Sequence, residues 1–420
     1  MKKIVTNIYK DKYLYEDTLN DISNVEDKII INDNIISTWL GMGGAITESS
    51  SYNYSLLNND KRKSLIKDYY SKKGLNYNLG RVSIGSNDFS LNSYEYLENN
   101  NINNFNIKRD NKYIIPLLKD IYKENKISLI ATPWSPPSFM KTNNNLLKGG
   151  FLKRKYYSLY SDYLIKFLNE YKKYGFNIDY LTIQNEPYAK QRWESCIFPI
   201  IKQKKFINNY LLDKLTDTKL LLWDHNREHL DYVTKRLYIN NPNICGIGFH
   251  WYTGLYHNKI KKVREKYKDI LLINTEMCCG FSKYDKYDWI NDAEKYLIDI
   301  IGCINSGVNA YLDWNILLDN NGGPSHKDNY VKSAIILNES KSDYIKTPIY
   351  YYLYHISHFI NKDYKILSIN NNSDLYMACA FYKNKKVIIV LNTTDEDKTF
   401  EIDDILKDKI NSHEIITYVI

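Results

Sequence analysis

Residues 180–187, YLTIQNEP, and residues 270–276, ILLINTE, share one design: a short run rich in Ile, Leu and Thr that ends in a glutamate. Such short apolar, β-branched runs favour strands over helices. Pro187 follows Glu186 at once and lacks a backbone N–H, so it ends the first of these strands. The two stretches predict two buried strands, each with a carboxylate at its carboxyl end.

Similar runs recur on both sides of these two, and amphipathic segments separate them. Lys112–Asn125 has apolar residues at helical spacing, and Tyr156–Tyr174 and Trp289–Ser306 behave alike. Strands that alternate with helices predict a parallel sheet, and eight such units match a (β/α)₈ barrel of roughly 250 residues. A doubly wound sheet is the alternative, but no Gly-rich phosphate loop follows the first strand. The predicted strands are Trp39–Ile46, Leu79–Ile84, Ser128–Ala131, Tyr180–Gln184, Lys219–Trp223, Gly246–His250, Ile270–Asn274 and Ala310–Trp314.

The two ends of the chain have a different pattern. Lys383-Asn384-Lys385 separates two strand-like runs, which is typical of a hairpin, and further strand-like runs follow it. We therefore predict an α/β fold with three parts: a (β/α)₈ TIM barrel over residues 38–360, an appended antiparallel β-sandwich over residues 361–420, and strands of residues 1–37 that join the sandwich. The runs are Lys28–Ile31, Met377–Tyr382, Lys386–Leu391, Thr399–Ile402 and Glu414–Ile420.

Composition excludes several classes of protein. The 420 residues include 57 Lys and Arg and 49 Asp and Glu, and this mild excess forms no basic run, so we expect no nucleic-acid partner. No stretch approaches the ~20 apolar residues that cross a bilayer, so we expect no transmembrane segment. Met1–Asn20 holds no apolar run of signal-peptide length, which predicts a cytoplasmic protein, or a secreted one if a signal was removed. The six cysteines form no C-x-x-C pair and are expected to be reduced. The oligomeric state stays open.

Barrel enzymes place their active sites at the carboxyl ends of the strands, so Glu186 and Glu276 are expected to face one pocket. Glycoside hydrolysis needs two such carboxyl groups, one that holds a proton and one that stays ionised. Two carboxylates suffice for this chemistry, so no cofactor is implied. No H-E-x-x-H motif or cysteine cluster suggests a metal.

Other strand ends supply residues that could bind a sugar. Trp134 is followed by Ser135-Pro136-Pro137, and we expect a rigid, exposed indole that stacks on a sugar face. His250 and Tyr252 follow the sixth predicted strand, and Trp314 ends the eighth. Asp88, which follows the second strand, could bind hydroxyl groups.

Several motifs, taken in order, resemble the glucosylceramidase family, glycoside hydrolase family 30. The resemblance extends from Trp39 to about Asp395, and the motifs together are highly specific. They are Gly41-Met42-Gly43-Gly44-Ala45-Ile46-Thr47-Glu48, Tyr77-Asn78-Leu79-Gly80-Arg81-Val82, Ser86-Asn87-Asp88-Phe89-Ser90, Thr132–Lys141, Leu181–Pro187 with Trp193-Glu194-Ser195-Cys196, Thr275-Glu276 with Cys278, Asp313-Trp314-Asn315 and Gly322-Gly323-Pro324. Asn87 and Ser325-His326 depart from the family pattern.

The resemblance implies a barrel with a β-sandwich built from both chain ends and hydrolysis of β-glycosides with retention. Glu186 would be the acid/base and Glu276 the nucleophile, and Asn185 would bind the sugar 2-hydroxyl. The implied first sugar subsite is formed by Asp88, Trp134, Tyr252 and Trp314, supported by Arg81, His250 and Asn329.

We therefore predict a retaining exo-acting β-glucosidase, similar to a glucosylceramidase, whose partner is a carbohydrate or glycoside substrate. A β-1,6-glucanase or β-xylosidase of the same family is the first alternative. A non-catalytic sugar-binding protein is the second, although the presence of both glutamates argues against it.

Overall fold

The computed structural model describes residues 1–237 and 240–420. Three strands come first: β1 (Lys2–Asn7), β2 (Lys12–Asp17) and β3 (Asp27–Thr38). The next eight strands are parallel and form a closed barrel in chain order, with the eighth paired to the first. They are β4 (Gly41–Ala45), β5 (Leu79–Ile84), β6 (Ser128–Pro133), β7 (Ile178–Leu181), β8 (Lys219–Asn226), β9 (Ile244–His250), β10 (Leu271–Glu276) and β11 (Ala310–Asp313). The predicted barrel is confirmed.

Helices follow every barrel strand and cover the outside of the sheet. Their apolar faces pack against the strands in one large core that includes Leu117, Phe167 and Leu297. The α-helices are α1 (Glu48–Leu56), α2 (Asn59–Tyr70), α3 (Ile114–Glu124), α4 (Tyr157–Lys173), α5 (Ile200–Phe206), α6 (Leu230–Leu237), α7 (His257–Lys266), α8 (Lys286–Asn305) and α9 (Pro348–Ser357). Among the residues that the structure describes, no helix is both long and apolar enough to cross a bilayer.

The first barrel strand depends on glycine. A Cβ at Gly43 would lie 2.1 Å from the backbone oxygen of Leu79 on β5, far inside contact distance. Only glycine lets these two strands approach at this point.

Inside the barrel, an apolar layer lies below a polar one. Leu79, Ile130 and Ile273 pack together in the interior. Because side chains alternate along a strand, the residues two positions later point the same way. Those residues are Arg81, Thr132 and Thr275, and they bring polar groups to the carboxyl ends of the strands.

β12 (Ile335–Leu337) and β13 (Tyr344–Lys346) form a small two-stranded sheet. The strands that follow them join the three amino-terminal strands in one nine-stranded, mostly antiparallel sheet. The sheet surrounds a core of its own that includes Val5, Ile29, Phe400 and Ile416. β1 pairs with the last strand, Ile4 opposite Thr417, so the two chain ends meet in this sheet. The other strands are β14 (Lys365–Asn370), β15 (Tyr376–Tyr382), β16 (Lys385–Asn392), β17 (Lys398–Ile402), β18 (Leu406–Ile410) and β19 (Glu414–Val419).

Several predicted strand ends were wrong, and those of β7 and β8 are displaced the most, by three residues each. β6 and β10 extend two residues beyond their predicted ends, to Pro133 and Glu276. β7 ends at Leu181, so Gln184, Asn185 and Glu186 lie in the loop that follows it. β8 continues to Asn226 rather than ending at Trp223, because its register against β9 shifts between Trp223 and His225 and the pairing then resumes.

Candidate active site

Glu186 and Glu276 line one cavity of about 380 Å³ at the carboxyl ends of the barrel strands. The structure brings all ten predicted site residues together here. Arg81 and His250 lie buried behind the carboxylates and contact them. The other predicted residues that line the cavity are Asp88, Trp134, Asn185, Tyr252, Trp314 and Asn329.

Glu276 ends β10 and is held by two donors. The guanidinium of Arg81 donates to Oε2, and the hydroxyl of Tyr252 donates to Oε1 at 2.9 Å. The same guanidinium donates to Oδ1 of Asn185 at 2.9 Å. Charged hydrogen bonds of this kind stabilise the ionised carboxylate and fix its orientation.

Glu186 lies in the loop after β7 with a left-handed backbone, φ 45°. Its backbone N–H donates to the backbone oxygen of Asp224 at 2.9 Å, and that of Asn185 donates to Pro133 at 2.8 Å. Non-glycine residues seldom adopt this conformation, and it persists where neighbours impose it. The side chain is 9% exposed and faces the cavity.

One imidazole contacts both carboxylates. His250 Nδ1 lies 3.2 Å from Glu186 Oε1, and Nε2 lies 3.9 Å from Glu276 Oε2. Burial lowers the pKa of His250, but the charge of Glu276 and hydrogen bonds to Asp224 and Glu186 raise it more, to about 9. Burial raises the pKa of Glu186, but the imidazoles of His225 and His250 outweigh it, and the pKa falls below its usual range.

The most connected carboxylate of the site is one that sequence reasoning missed. Asp224 is fully buried and accepts hydrogen bonds from Thr275 at 2.6 Å and Thr182 at 2.7 Å. It also pairs with Arg81 at 3.0 Å and with His250 Nε2 at 3.2 Å. Burial raises the pKa of Asp224, but Arg81 and His250 hold it well below its ordinary value.

Backbone bulges explain how Asp224 enters the interior. Leu221 already faces inward, so strict alternation would turn Trp223 inward as well. Instead Trp223 and Asp224 have left-handed backbones, φ 76° and 59°, at the point where the register shifts. β10 shifts likewise between Asn274 and Glu276. Bulges re-aim side chains beside active sites.

A sequence signal for this region exists. The polar residues Asp224, His225 and Asn226 directly follow an apolar run that ends at Trp223. The same pattern, a polar residue directly after an apolar run, identified Glu186 and Glu276.

Trp134 is less exposed than its sequence context predicted. Trp134 is only 2% exposed, and its ring stacks on Trp314 at 5.3 Å between centroids. The guanidinium of Arg81 lies 4.7 Å from the Trp134 ring centroid, a cation–π contact. The prediction of an exposed stacking face at Trp134 is wrong, because Trp314 covers that ring, although both indoles line the cavity.

Asp88 is buried at the cavity wall and accepts a hydrogen bond from Asn329 Nδ2 at 2.6 Å. Burial raises the pKa of Asp88 to about 7, although the Asn329 hydrogen bond opposes this. The carboxyl group can therefore donate or accept a hydrogen bond near neutral pH.

A second cavity, of about 700 Å³, adjoins the first and shares Tyr252, Cys278 and Gly280 with it. Trp251, Leu255 and Ile298 form apolar parts of its wall. The rest is charged: Lys332 Nζ lies 2.7 Å from Asp288 and also contacts Asp292, and Lys295 lies 2.7 Å from Asp292.

Sequence comparison identifies the family. The glycosyl hydrolase family 30 TIM-barrel domain matches residues 40–360. The chain belongs to glycosyl hydrolase family 30. It is a glycoside hydrolase, as the pair of glutamates at the barrel mouth predicted.

Relatives of this family 30 enzyme carry two kinds of name. Putative glucosylceramidase 4 of Caenorhabditis elegans is 31% identical over 76% of this chain and 67% of its own length. Lysosomal acid glucosylceramidase of Mus musculus is 29% identical over 87% of this chain and 76% of its own length. Endo-1,6-beta-D-glucanase of Neurospora crassa is 24% identical over 78% and 71%. Among solved structures, SrfJ from Salmonella typhimurium is 26% identical, with a TM-score of 0.93 over 100% of this chain and 99% of its own.

Another cluster of side chains in the family 30 barrel contains residue types that can bind a metal ion, but an arginine side chain already pairs with them. His257 at the start of α7 and Asp299 and Cys303 on α8 lie close together. Arg227 pairs with both oxygens of Asp299 and lies 3.2 Å from the sulfur of Cys303. The guanidinium supplies the positive charge that a metal ion would bring, so these residues do not favour a metal.

Proposed function

We propose that this family 30 enzyme hydrolyses β-glucosides with retention of anomeric configuration and releases one glucose unit at a time. Its nucleophile is Glu276 and its acid/base is Glu186. The observation that carries the assignment is that Arg81 and Tyr252 donate to both oxygens of Glu276, whereas Glu186 meets imidazoles.

In the first step, Glu276 attacks the anomeric carbon and the bond to the leaving oxygen breaks as the protonated form of Glu186 donates its proton to that oxygen. This form is the minor one in the free enzyme, because the two imidazoles lower the pKa of Glu186. A covalent glycosyl-enzyme forms on Glu276. In the second step, Glu186 takes a proton from water, the resulting hydroxide attacks the anomeric carbon, and Glu276 leaves. Asn185, which shares Arg81 with the nucleophile, is placed to bind the 2-hydroxyl group of the sugar.

The size of the site supports one buried sugar. A cavity of about 380 Å³ holds a hexose, and Asp88 and Asn329 offer paired donors and acceptors to its hydroxyl groups. The acidic group of Asp88, whose pKa lies near 7, suits a neutral sugar better than an anionic one.

The test is hydrolysis of aryl β-glucoside, β-xyloside, β-galactoside and N-acetyl-β-glucosaminide by wild type and Glu276→Gln, with the anomer of the first product read by proton NMR. We expect wild type to cleave the glucoside and release the β-anomer, and Glu276→Gln to be inactive. Initial release of the α-anomer would overturn retention, and cleavage of the xyloside alone would change the substrate to a xyloside.

A β-1,6-glucanase is the second candidate, because the adjoining cavity is charged as well as apolar. Asp288, Asp292, Lys295 and Lys332 suit hydroxyl groups of a second sugar better than alkyl chains. The Neurospora crassa relative, named an endo-1,6-beta-D-glucanase, agrees with this.

Substrate comparison separates the two candidates. β-1,6-Linked gluco-oligosaccharides and detergent-dispersed glucosylceramide are offered to wild type, Lys295→Ala and the exposed-lysine control Lys235→Ala. The glucanase candidate predicts products longer than glucose and a raised KM for oligosaccharides in Lys295→Ala alone. Release of glucose as the only early product favours exo-action, and a preference for glucosylceramide would mean that the charged cavity does not bind the leaving group.

A further inference from the structure

His225 is a third nitrogen-bearing side chain beside the acid/base. Its Nδ1 lies 3.8 Å from Glu186 Oε1, the oxygen that His250 Nδ1 approaches to 3.2 Å. Gln191 Nε2 lies 3.5 Å from the other oxygen. Within the described part of the chain, His225 Nδ1 is buried and has no partner at hydrogen-bond distance. A buried nitrogen without a hydrogen-bond partner lowers the stability of the fold. A functional role for His225 would explain why the nitrogen is kept there.

The β8 bulge puts His225 there. Trp223 and Asp224 both have left-handed backbones, which non-glycine residues seldom adopt, and this turns Asp224 inward and His225 toward Glu186. Trp223 is fixed by the end of its own strand: its indole N–H donates to the backbone oxygen of Asn226 at 2.9 Å. Its ring lies 5.2 Å from the His225 ring, which limits the rotation of the imidazole.

The two imidazoles have different surroundings. His250 is fully buried, faces Glu186 through Nδ1, and faces Asp224 and Glu276 through Nε2. Three carboxylates therefore influence the charge of His250 at once. The side chain of His225 is 12% exposed, and among the described residues the carboxylate that it approaches is that of Glu186.

Resting on the proposed function, we propose that His225 is a positioning residue for Glu186: its imidazole points an N–H donor toward Oε1 and stabilises the ionised carboxylate that takes a proton from water in the second step. The groups that face Glu186 are His225 on β8, His250 at the end of β9, and Gln191 in its own loop. Asp224 and Glu276 face the other ring nitrogen of His250, and Tyr252 donates to Glu276. A hydrogen-bond donor 3.8 Å from the carboxylate favours its ionised form, in line with the lowered pKa of Glu186.

The inference predicts opposite effects on the two steps. Without His225, Glu186 keeps its proton to higher pH, so the alkaline limb of kcat/KM moves up by about one pH unit. At pH values below the pKa of Glu186 the ionised form is then about tenfold scarcer, so kcat falls by up to about tenfold there on 2,4-dinitrophenyl β-glucoside, for which breakdown of the glycosyl-enzyme limits the rate. A purely structural defect would lower both kcat and kcat/KM without moving the alkaline limb of the pH profile.

The experiment compares wild type with His225→Asn and His225→Phe, the second of which keeps a ring against Trp223. His229→Asn, an exposed histidine four residues on, is the matched control. A titration of the Glu186 carboxyl carbon by ¹³C NMR, assigned with Glu186→Gln, needs no turnover. We expect its midpoint to rise by about one pH unit in both His225 variants and not in the control.

The outcomes separate this inference from the proposed function. A Glu186 titration and an alkaline limb that stay in place in both variants overturn the role of His225, even if the enzyme is an active retaining glucosidase. A shifted titration in a protein that cleaves no β-glycoside supports the pairing of the two groups and overturns its part in hydrolysis together with the proposed function.

Discussion

The hydroxyl of Tyr252 donates a 2.9 Å hydrogen bond to Oε1 of Glu276. The other oxygen of this carboxylate accepts from Arg81, so both oxygens of the proposed nucleophile have a fixed donor. Two donors on two oxygens fix the orientation of the carboxylate.

Tyr252→Phe tests the value of that second donor. The ring stays and only the hydroxyl is lost, so we expect kcat/KM on aryl glucosides to fall about 10- to 100-fold, the worth of one hydrogen bond to a charged group. The thermal unfolding midpoint should stay near that of wild type. Tyr376→Phe, on the sheet far from the cavity, is the control. Unchanged kinetics in Tyr252→Phe would mean that Arg81 alone orients Glu276.

Glu186→Gln tests the acid/base role. General acid catalysis contributes roughly 10²–10⁴-fold, and its share grows with the basicity of the leaving group. We expect kcat/KM to fall by that amount on alkyl glucosides and much less on dinitrophenyl glucoside. Equal losses on both substrates would contradict the assignment.

Asp224→Asn tests the buried charge that sequence reasoning missed. The change keeps the shape but leaves Arg81 and His250 without this counter-ion, and breaking such a buried pair costs about 3–5 kcal/mol. We expect a lower urea midpoint at pH 7 and lower activity. Because the folded pKa of Asp224 is depressed, this stability is present above the unfolded pKa near 4 and lost as pH falls through the folded value.

The matched control for Asp224 is Asp217→Asn. Asp217 pairs with Lys172 at 2.8 Å on the surface, where such pairs contribute about 0–1 kcal/mol. If Asp224→Asn lowers the free energy of unfolding no more than Asp217→Asn does, the buried charge of Asp224 does not stabilise the fold through Arg81 and His250.

Asp110→Asn tests a buried carboxyl group outside the active site. Burial raises the pKa of Asp110 to about 7, although hydrogen bonds from Tyr171 at 2.7 Å and Tyr96 at 2.8 Å oppose it. A folded pKa above the unfolded value gives stability that is full below about pH 4 and lost as pH rises through 7. We expect wild type to lose about 1.4 kcal/mol more per pH unit over this window than Asp110→Asn.

Urea unfolding of both proteins at pH 4, 5, 6 and 7 measures that difference. Asp404→Asn, on an exposed turn, should follow wild type across the range. Parallel curves for wild type and Asp110→Asn would show that Asp110 is ionised throughout.

Sequence reasoning reached most of the site because strand ends are local features. Glu186, Glu276 and Trp314 each stand where an apolar run stops, and the closed barrel brings such positions to one mouth. The exposed face predicted for Trp134 failed because its cover, Trp314, lies 180 residues later in the chain. Long-range contacts of this kind leave no local pattern.

The sequence by itself determined the alternation of strands and helices, since side-chain periodicity is set by residues a few positions apart. It also determined which carboxylates could stand at strand ends. Only the tertiary structure decided that Asp224 turns into the barrel and His225 toward Glu186, because a bulge depends on the register with β9. Only the tertiary structure decided, too, that Ile4 pairs with Thr417, since hydrogen bonds between strands link residues without regard to their separation along the chain.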